Sequence, residues 1–283
     1  MKVALISAGM MGERMGGRLL DAGHDLAVYN RTRGRTAALE ARGAAVADTP
    51  RAAAAGAEFL VTMLADAGAV RATAQGESGF LGAPGDRLWI DMSTVSPAES
   101  RELAVEARRR GVRALDAPVS GSLGAAVKGM LVVFVGGPAE DVAAAKPLFD
   151  VLGRATLHMG PSGAGSATKL ALNAFLLATM VAGTEALKLG AADGVRREEL
   201  LDAFARTEIL PAWALGKLEN LGGGEVRTAF SLALADKDMR LIGETAAALG
   251  LELPLAGTVA DAYARALAAG LGERDFSAVD ATG

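Results

Sequence analysis

Apolar positions in the first half of the chain come in short continuous runs rather than in alternation. "KVALIS" (2–7), "DLAVYN" (25–30), "AAVA" (44–47), "EFLVTM" (58–63), "RLWIDM" (87–92), "VRALDAP" (112–118) and "MLVVFVGG" (130–137) all have this form. Runs of this length read as strands buried on both faces. Between them the apolar spacing changes to the helical one, as in "PAESRELAVEARRRG" (97–111). Strands alternating with helices predict an α/β half, a doubly wound and mostly parallel sheet with right-handed crossovers. Past "PSGAG" (161–165) the strand runs stop. Residues 166–193 then read as one helix closed by Gly194, roughly 40 Å long at 1.5 Å per residue. Further helices are predicted near 197–206, 211–220, 231–249 and 254–270. The predicted organisation is an α/β domain over 1–162 and an all-helical domain over 163–283, joined by the long helix. The closing "GERDFSAVDATG" (272–283) is expected to be a loose tail.

Composition narrows the chemistry. A chain of 283 residues, 51% of them hydrophobic, suits about two domains with sizeable cores. A net charge of −4 offers no electrostatic footprint for nucleic acid or an anionic membrane. There is no cysteine, so neither disulfides nor thiolate metal sites arise. The two isolated histidines, His24 and His158, argue against a zinc site and against a Ser-His-Asp triad, and no metal is expected. No segment is read as long and apolar enough to span a bilayer. "MKVALIS" suits a buried strand better than a signal peptide. The expectation is a cytoplasmic protein with neither nucleic-acid nor membrane partners.

The first strand runs into "SAGMMG" (7–12), where a dinucleotide-binding turn would read G-x-G-x-x-G. Gly9 and Gly12 keep the glycines that admit the pyrophosphate and the helix, while Ser7 stands where the turn glycine would be. If Ser7 has negative φ the replacement costs little; if φ is positive it is strained. The helix that follows would aim its first N–H groups, around Gly9, Met10, Met11 and Gly12, at phosphate. The second strand ends at Asn30, where an NAD site commonly has Asp or Glu for the ribose hydroxyls. Arg31, Thr32, Arg33 and Arg35 surround that position. Losing the carboxylate removes repulsion of a 2′-phosphate, and guanidinium groups bind one well. These residues predict NADP(H) in preference to NAD(H).

Four further stretches follow in order: "DMSTVSP" (91–97), "DAPVSGSLGAAVKGML" (116–131), "GAGSATKLALN" (163–173) and "FSLALADKDMRL" (230–241). With the glycine turn they resemble the β-hydroxyacid dehydrogenase family over nearly the whole chain. That family includes 3-hydroxyisobutyrate dehydrogenases, tartronate semialdehyde reductases and glyoxylate/succinic semialdehyde reductases. The resemblance implies a Rossmann-type domain followed by a helical domain akin to that of 6-phosphogluconate dehydrogenases, and a homodimer or homotetramer. It implies Lys169 as the catalytic residue and Asn173 as the group that orients substrate. Ser120, Gly121 and Ser122 would meet the substrate carboxylate; the family more often has glycine at the last of these. Met63, Leu64, Thr94 and Lys237 would line the cofactor, with Asp238 supporting Lys237. Asp91 either orients the "STVS" loop or serves plain helix entry.

Hydride transfer at carbon needs a proton partner at oxygen, and with no cysteine, metal or well-placed histidine, lysine is the natural choice. Lys169 and Asn173 stand at i and i+4 and share a helix face. The positive end of the helix and burial under a nicotinamide would both lower the Lys169 pKa toward a useful range. The reaction centre is expected between the two halves, acting on a small hydroxy acid or aldehyde acid. Two rivals stay open: imine reductase activity on the same fold, which lysine at 169 disfavours, and a non-catalytic NADP-binding scaffold. Phosphosugar decarboxylation is disfavoured by Leu172, where 6-phosphogluconate dehydrogenases have histidine.

Overall fold

The computed structural model describes residues 1–221 and 228–280. Among the described residues, nine strands, β1 (Lys2–Ile6), β2 (Asp25–Tyr29), β3 (Ala45–Val46), β4 (Phe59–Thr62), β5 (Leu88–Asp91), β6 (Arg113–Asp116), β7 (Val119–Ser120), β8 (Leu131–Gly136) and β9 (Gly153–Gly160), form one sheet. Its order is β3-β2-β1-β4-β5-β6-β8-β7, with β9 also paired to β8. The pairs from β3 to β6 are parallel; β8 runs antiparallel to β6 and β7 and parallel to β9. The first six positions have the Rossmann order, as the strand and helix runs predict.

Burial on both faces explains the continuous apolar runs. In β1, Val3 and Leu5 enter one core with Met15 and Leu19 of the first helix, Met10–Asp21. Ala4 and Ile6 enter the other, with Leu60, Trp89 and Leu103. The sheet can therefore be covered only by helices on both sides.

The chain divides into two compact units, Met1–Lys169 and Leu170–Gly283, and the division falls inside the long helix Ala164–Ala192. The second unit is helical, with Leu177, Met180, Leu218, Met239, Ile242 and Tyr263 in its core. Its other helices are Arg197–Thr207, Ala212–Asn220, Leu232–Ala248 and Pro254–Ala268.

Two expectations are corrected. The expected loose tail packs: Phe276, Ala278 and Val279 are buried, Ser231 bridges to Asp275, and buried Asp275 accepts from Lys217 Nζ at 2.7 Å. The few apolar residues among polar ones hid an anchor made mainly by one carboxylate. Residues 281–283 lie outside the described residues. The second correction concerns apolar length. By length and composition, Ala164–Ala192 is long and apolar enough to cross a membrane, with a mean hydropathy of 1.6 over its best window. Its charged and amide residues, Lys169, Asn173, Glu185 and Lys188, interrupt the run without lowering the average enough. Leu170, Leu177, Met180, Val181 and Leu187 of this helix are buried in the second unit's core.

Candidate active site

The strand order reverses between β1 and β4, and in such sheets ligands sit outside the carboxyl ends of the strands at that point. Ser7 follows β1 there. It is buried, and among the described non-glycine residues only Glu208 has positive φ, so Ser7 turns the chain without strain. Its Oγ accepts from the Gly9 N–H at 3.3 Å. A methyl at Gly12 would lie 2.7 Å from Ser7 Oγ and 3.0 Å from the Ser7 carbonyl oxygen, so glycine there is required by packing. Gly9 is different. It caps the helix with φ −71°, a conformation open to any residue, and a methyl would meet only Ser7 Oγ, at 3.8 Å. No protein atom explains its bare backbone. A pyrophosphate approaching the side-chain-free N-cap of Met10–Asp21 does, so these residues fit a dinucleotide. Met10 is exposed at the first helical position, and Met11 is partly buried against the core.

Asn30, after β2, reaches back to the same turn. Its Oδ1 accepts from the Ala8 N–H at 2.9 Å, and its Nδ2 donates to the Thr32 carbonyl at 2.9 Å. An aspartate could make the first bond but not the second. Asn30 thus braces the turn and the loop bearing Arg31 and Thr32, both exposed. Arg33 pairs with Asp48 at 2.5 Å on the surface.

The loops after β4 and β5 are tied together by a buried network. Trp89 Nε1 donates to Thr62 Oγ1 at 2.9 Å, and Thr62 Oγ1 donates to Asp91 at 2.7 Å. Asp91 also accepts from the Ser93 N–H at 3.1 Å, and Ser93 Oγ accepts from the Leu64 N–H at 2.9 Å. Asp91 is therefore an orienting group for the loops of Met63, Leu64 and Thr94. Helix entry belongs instead to Ser96 and Glu99, which form a capping box. Burial pushes the Asp91 carboxyl up to about 6, against the hydrogen bonds from Ser93 and Thr62.

β6 ends at Asp116, the register partner of Asp91. The chain continues into Ser120, Gly121 and Ser122. Gly121 has φ +136°, and a methyl there would come within 2.9 Å of Leu131. Neither the Ser120 nor the Ser122 hydroxyl has a hydrogen-bond partner among the described residues, and Ser122 N-caps a short helix through its backbone alone. Asp116 itself is buried and turns to the start of the long helix. It accepts from the Gly163 N–H at 2.7 Å and from the Ser166 N–H at 2.9 Å. Burial pushes its pKa up, opposed by those backbone donors. Lys169, partly buried, follows within the same helix.

In the second unit Asn173 is buried, one helical turn beyond Lys169. Its Nδ2 donates to Asp238 Oδ2 at 2.6 Å, while Lys237 Nζ lies 2.9 Å from Asp238 Oδ1. Asp238 thus holds both Asn173 and Lys237. The first unit gathers Ser7–Gly12, Asn30–Thr32, Met63, Leu64, Thr94 and Ser120–Ser122 at the carboxyl ends of its strands; the second gathers Asn173 and Lys237 on one carboxylate. Reading residues by type missed the supports: the Ser7 hydroxyl, Asp116, and Ser100, whose Oγ lies 2.6 Å from Ser166 Oγ. A usable signal existed. "LWID" and "RALD" both end buried strands on an aspartate, where a charge is costly without donors.

Comparison with known proteins agrees in both halves. Residues 2–160 match the family of the NAD binding domain of 6-phosphogluconate dehydrogenase. Residues 163–281 match the family described as NAD-binding of NADP-dependent 3-hydroxyisobutyrate dehydrogenase. The NAD-dependent L-serine dehydrogenase of Pseudomonas aeruginosa is 35% identical over 98% of this chain and 96% of its own. A 3-hydroxyisobutyrate dehydrogenase of the same organism is 35% identical over 89% of this chain and 88% of its own. Among solved structures, the Mycobacterium tuberculosis 3-hydroxyisobutyrate dehydrogenase with L-serine has a TM-score of 0.87 and 30% identity, covering 98% of this chain and 97% of that one.

Proposed function

Because the chain belongs to the β-hydroxyacid dehydrogenase family, nicotinamide-dependent oxidoreductases of small CH–OH substrates, we propose that it interconverts a small hydroxy acid and its carbonyl partner with NADP(H), using Lys169 as general acid and base. When bound, the nicotinamide supplies the hydride in reduction and accepts it in oxidation. In reduction the Lys169 ammonium donates a proton to the carbonyl oxygen; in oxidation its neutral amine accepts the hydroxyl proton. The Asn173 amide gives one N–H to Asp238, which leaves its Oδ1 and its second N–H for a substrate hydroxyl. The Ser120 and Ser122 hydroxyls and the Gly121 N–H take the substrate carboxylate.

One observation carries this reading: Asn173 is buried, fixed on Asp238, and set one turn from Lys169. A surface lysine among solvated neighbours needs no such support. The NADP(H) preference rests on Asn30, committed as a brace where a carboxylate would repel a 2′-phosphate, and on exposed Arg31 and Arg33. The Arg33–Asp48 pair is a surface contact and costs little to break. The substrate class is a short 3-hydroxy acid or aldehyde acid such as 3-hydroxyisobutyrate, L-serine, glyoxylate, succinic semialdehyde or tartronate semialdehyde.

The test is a panel of those acids with both nicotinamides. The expected result is turnover of at least one, with kcat/KM about tenfold or more higher for the phosphorylated cofactor, the scale of one charge-assisted contact. No turnover of any would contradict the dehydrogenase reading; better use of NAD(H) would contradict the cofactor preference alone.

A further inference from the structure

We propose that Asp116 is a positioning residue for Lys169: from the end of β6 its carboxylate clamps the first turn of the lysine's helix and fixes it relative to the Ser120–Ser122 loop. The inference rests on the proposed role of Lys169. Helices usually take an N-cap from their own preceding residue. Here the cap comes from a strand 47 and 50 residues earlier in the chain, through Oδ1 to the Gly163 N–H and Oδ2 to the Ser166 N–H. Two oxygens at a fixed separation, on two donors three residues apart, set both the position and the rotation of the helix start. Lys169 stands three residues beyond Ser166 on that rigid turn.

The surroundings are shaped to admit this clamp. A methyl at Gly136 would lie 2.5 Å from Asp116 Oδ1. One at Gly165 would lie 2.9 Å from Oδ2 and 2.4 Å from the Phe134 carbonyl oxygen. Both glycines leave space that the carboxylate and the helix backbone use. Gly163, with φ +90°, turns its N–H onto Oδ1. A second pin stands beside the first: Ser166 Oγ and Ser100 Oγ lie 2.6 Å apart, both buried. A buried carboxylate is an expensive cap where a neutral hydroxyl would serve. Its use is explained if the helix must be registered against the sheet. The same strand carries the loop proposed to hold the substrate carboxylate, so the proton donor and the substrate anchor share one reference point.

The test compares Asp116→Asn and Ser100→Ala with wild type in the full chain, after circular dichroism confirms folding. Asparagine keeps one acceptor and presents an N–H to the other donor. The clamp predicts that kcat falls by about 10- to 100-fold in Asp116→Asn, the scale of a displacement near 1 Å. NADPH affinity, read by fluorescence, stays within about twofold, since the clamp touches no nucleotide loop. Ser100→Ala removes only the second pin and lowers kcat by a smaller factor, again without loss of affinity. The proposal is overturned if folded Asp116→Asn keeps kcat within about twofold of wild type, or if turnover and NADPH affinity fall together. If Asp116→Asn does not fold, an unchanged kcat in Ser100→Ala overturns it. The two assignments fail separately: an active Lys169→Ala refutes the lysine, whereas an inactive Lys169→Ala beside a near-normal Asp116→Asn refutes only the clamp.

Discussion

Gly9 and Gly12 look equivalent in sequence and are not equivalent in structure. Gly12 is bare because Ser7 occupies the space beside it, whereas nothing in the protein crowds Gly9. Gly12→Ala is therefore expected to destabilise the fold by about 1–3 kcal/mol, the usual cost of overpacking. Adding Ser7→Gly should recover part of that loss in a double-mutant cycle, because it removes the nearest atom. Gly9→Ala is expected to leave the melting temperature nearly unchanged and to weaken nicotinamide binding about tenfold or more. Unchanged binding in Gly9→Ala would contradict the cradle. Asp91 gives a second residue-scale test. Its folded pKa, about 6, is above the ordinary value, so the fold binds its proton more tightly than the unfolded chain does. The stability it contributes is complete below about pH 4 and lost as pH rises through 6. Relative to Asp91→Asn, wild type should gain roughly 1 kcal/mol between pH 7.5 and 5, measured by thermal melts. A difference independent of pH would contradict the burial of that carboxyl.

At the scale of elements, apolar runs and helical spacing were enough to place seven strands and the helices of the second unit within a few residues. β7 and β9 escaped for different reasons. β7 has two residues, too few for any periodicity, and lies within the "DAPVSG" stretch that motif reading treats as loop. β9 leaves its Leu157 and Met159 exposed and carries Arg154, Thr156 and His158, so it shows no buried-strand run. The glycine turn, the "DAPVSG" loop, Lys169 and Asn173 were legible because they are bound to short motifs with fixed spacing. Most of their supports were not, because Asp116, Ser100 and the bond from Asn173 to Asp238 act across 47 to 66 residues of chain, and no local pattern records such pairings; only the support of Lys237 by its neighbour Asp238 was implied by the motif. Ser7 shows the limit in the other direction. The motif marks it as a defect, yet its negative φ and its bond to the Gly9 N–H make it a working turn residue.

For the whole molecule, each unit has its own core and its own buried carboxylate holding candidate site residues: Asp116 in the first, Asp238 in the second. Family membership brings nicotinamide-dependent oxidation and reduction of small CH–OH substrates. The role proposed for Lys169 is narrower: one amine moves the proton. Lys169→Ala tests it most directly, assayed for turnover on the best substrate of the acid panel and for NADPH binding by fluorescence. The expected result is binding within about twofold of wild type and kcat lower by a factor of about 100 or more, the scale of general acid–base catalysis. Turnover near the wild-type rate in a folded, cofactor-binding Lys169→Ala enzyme would contradict it.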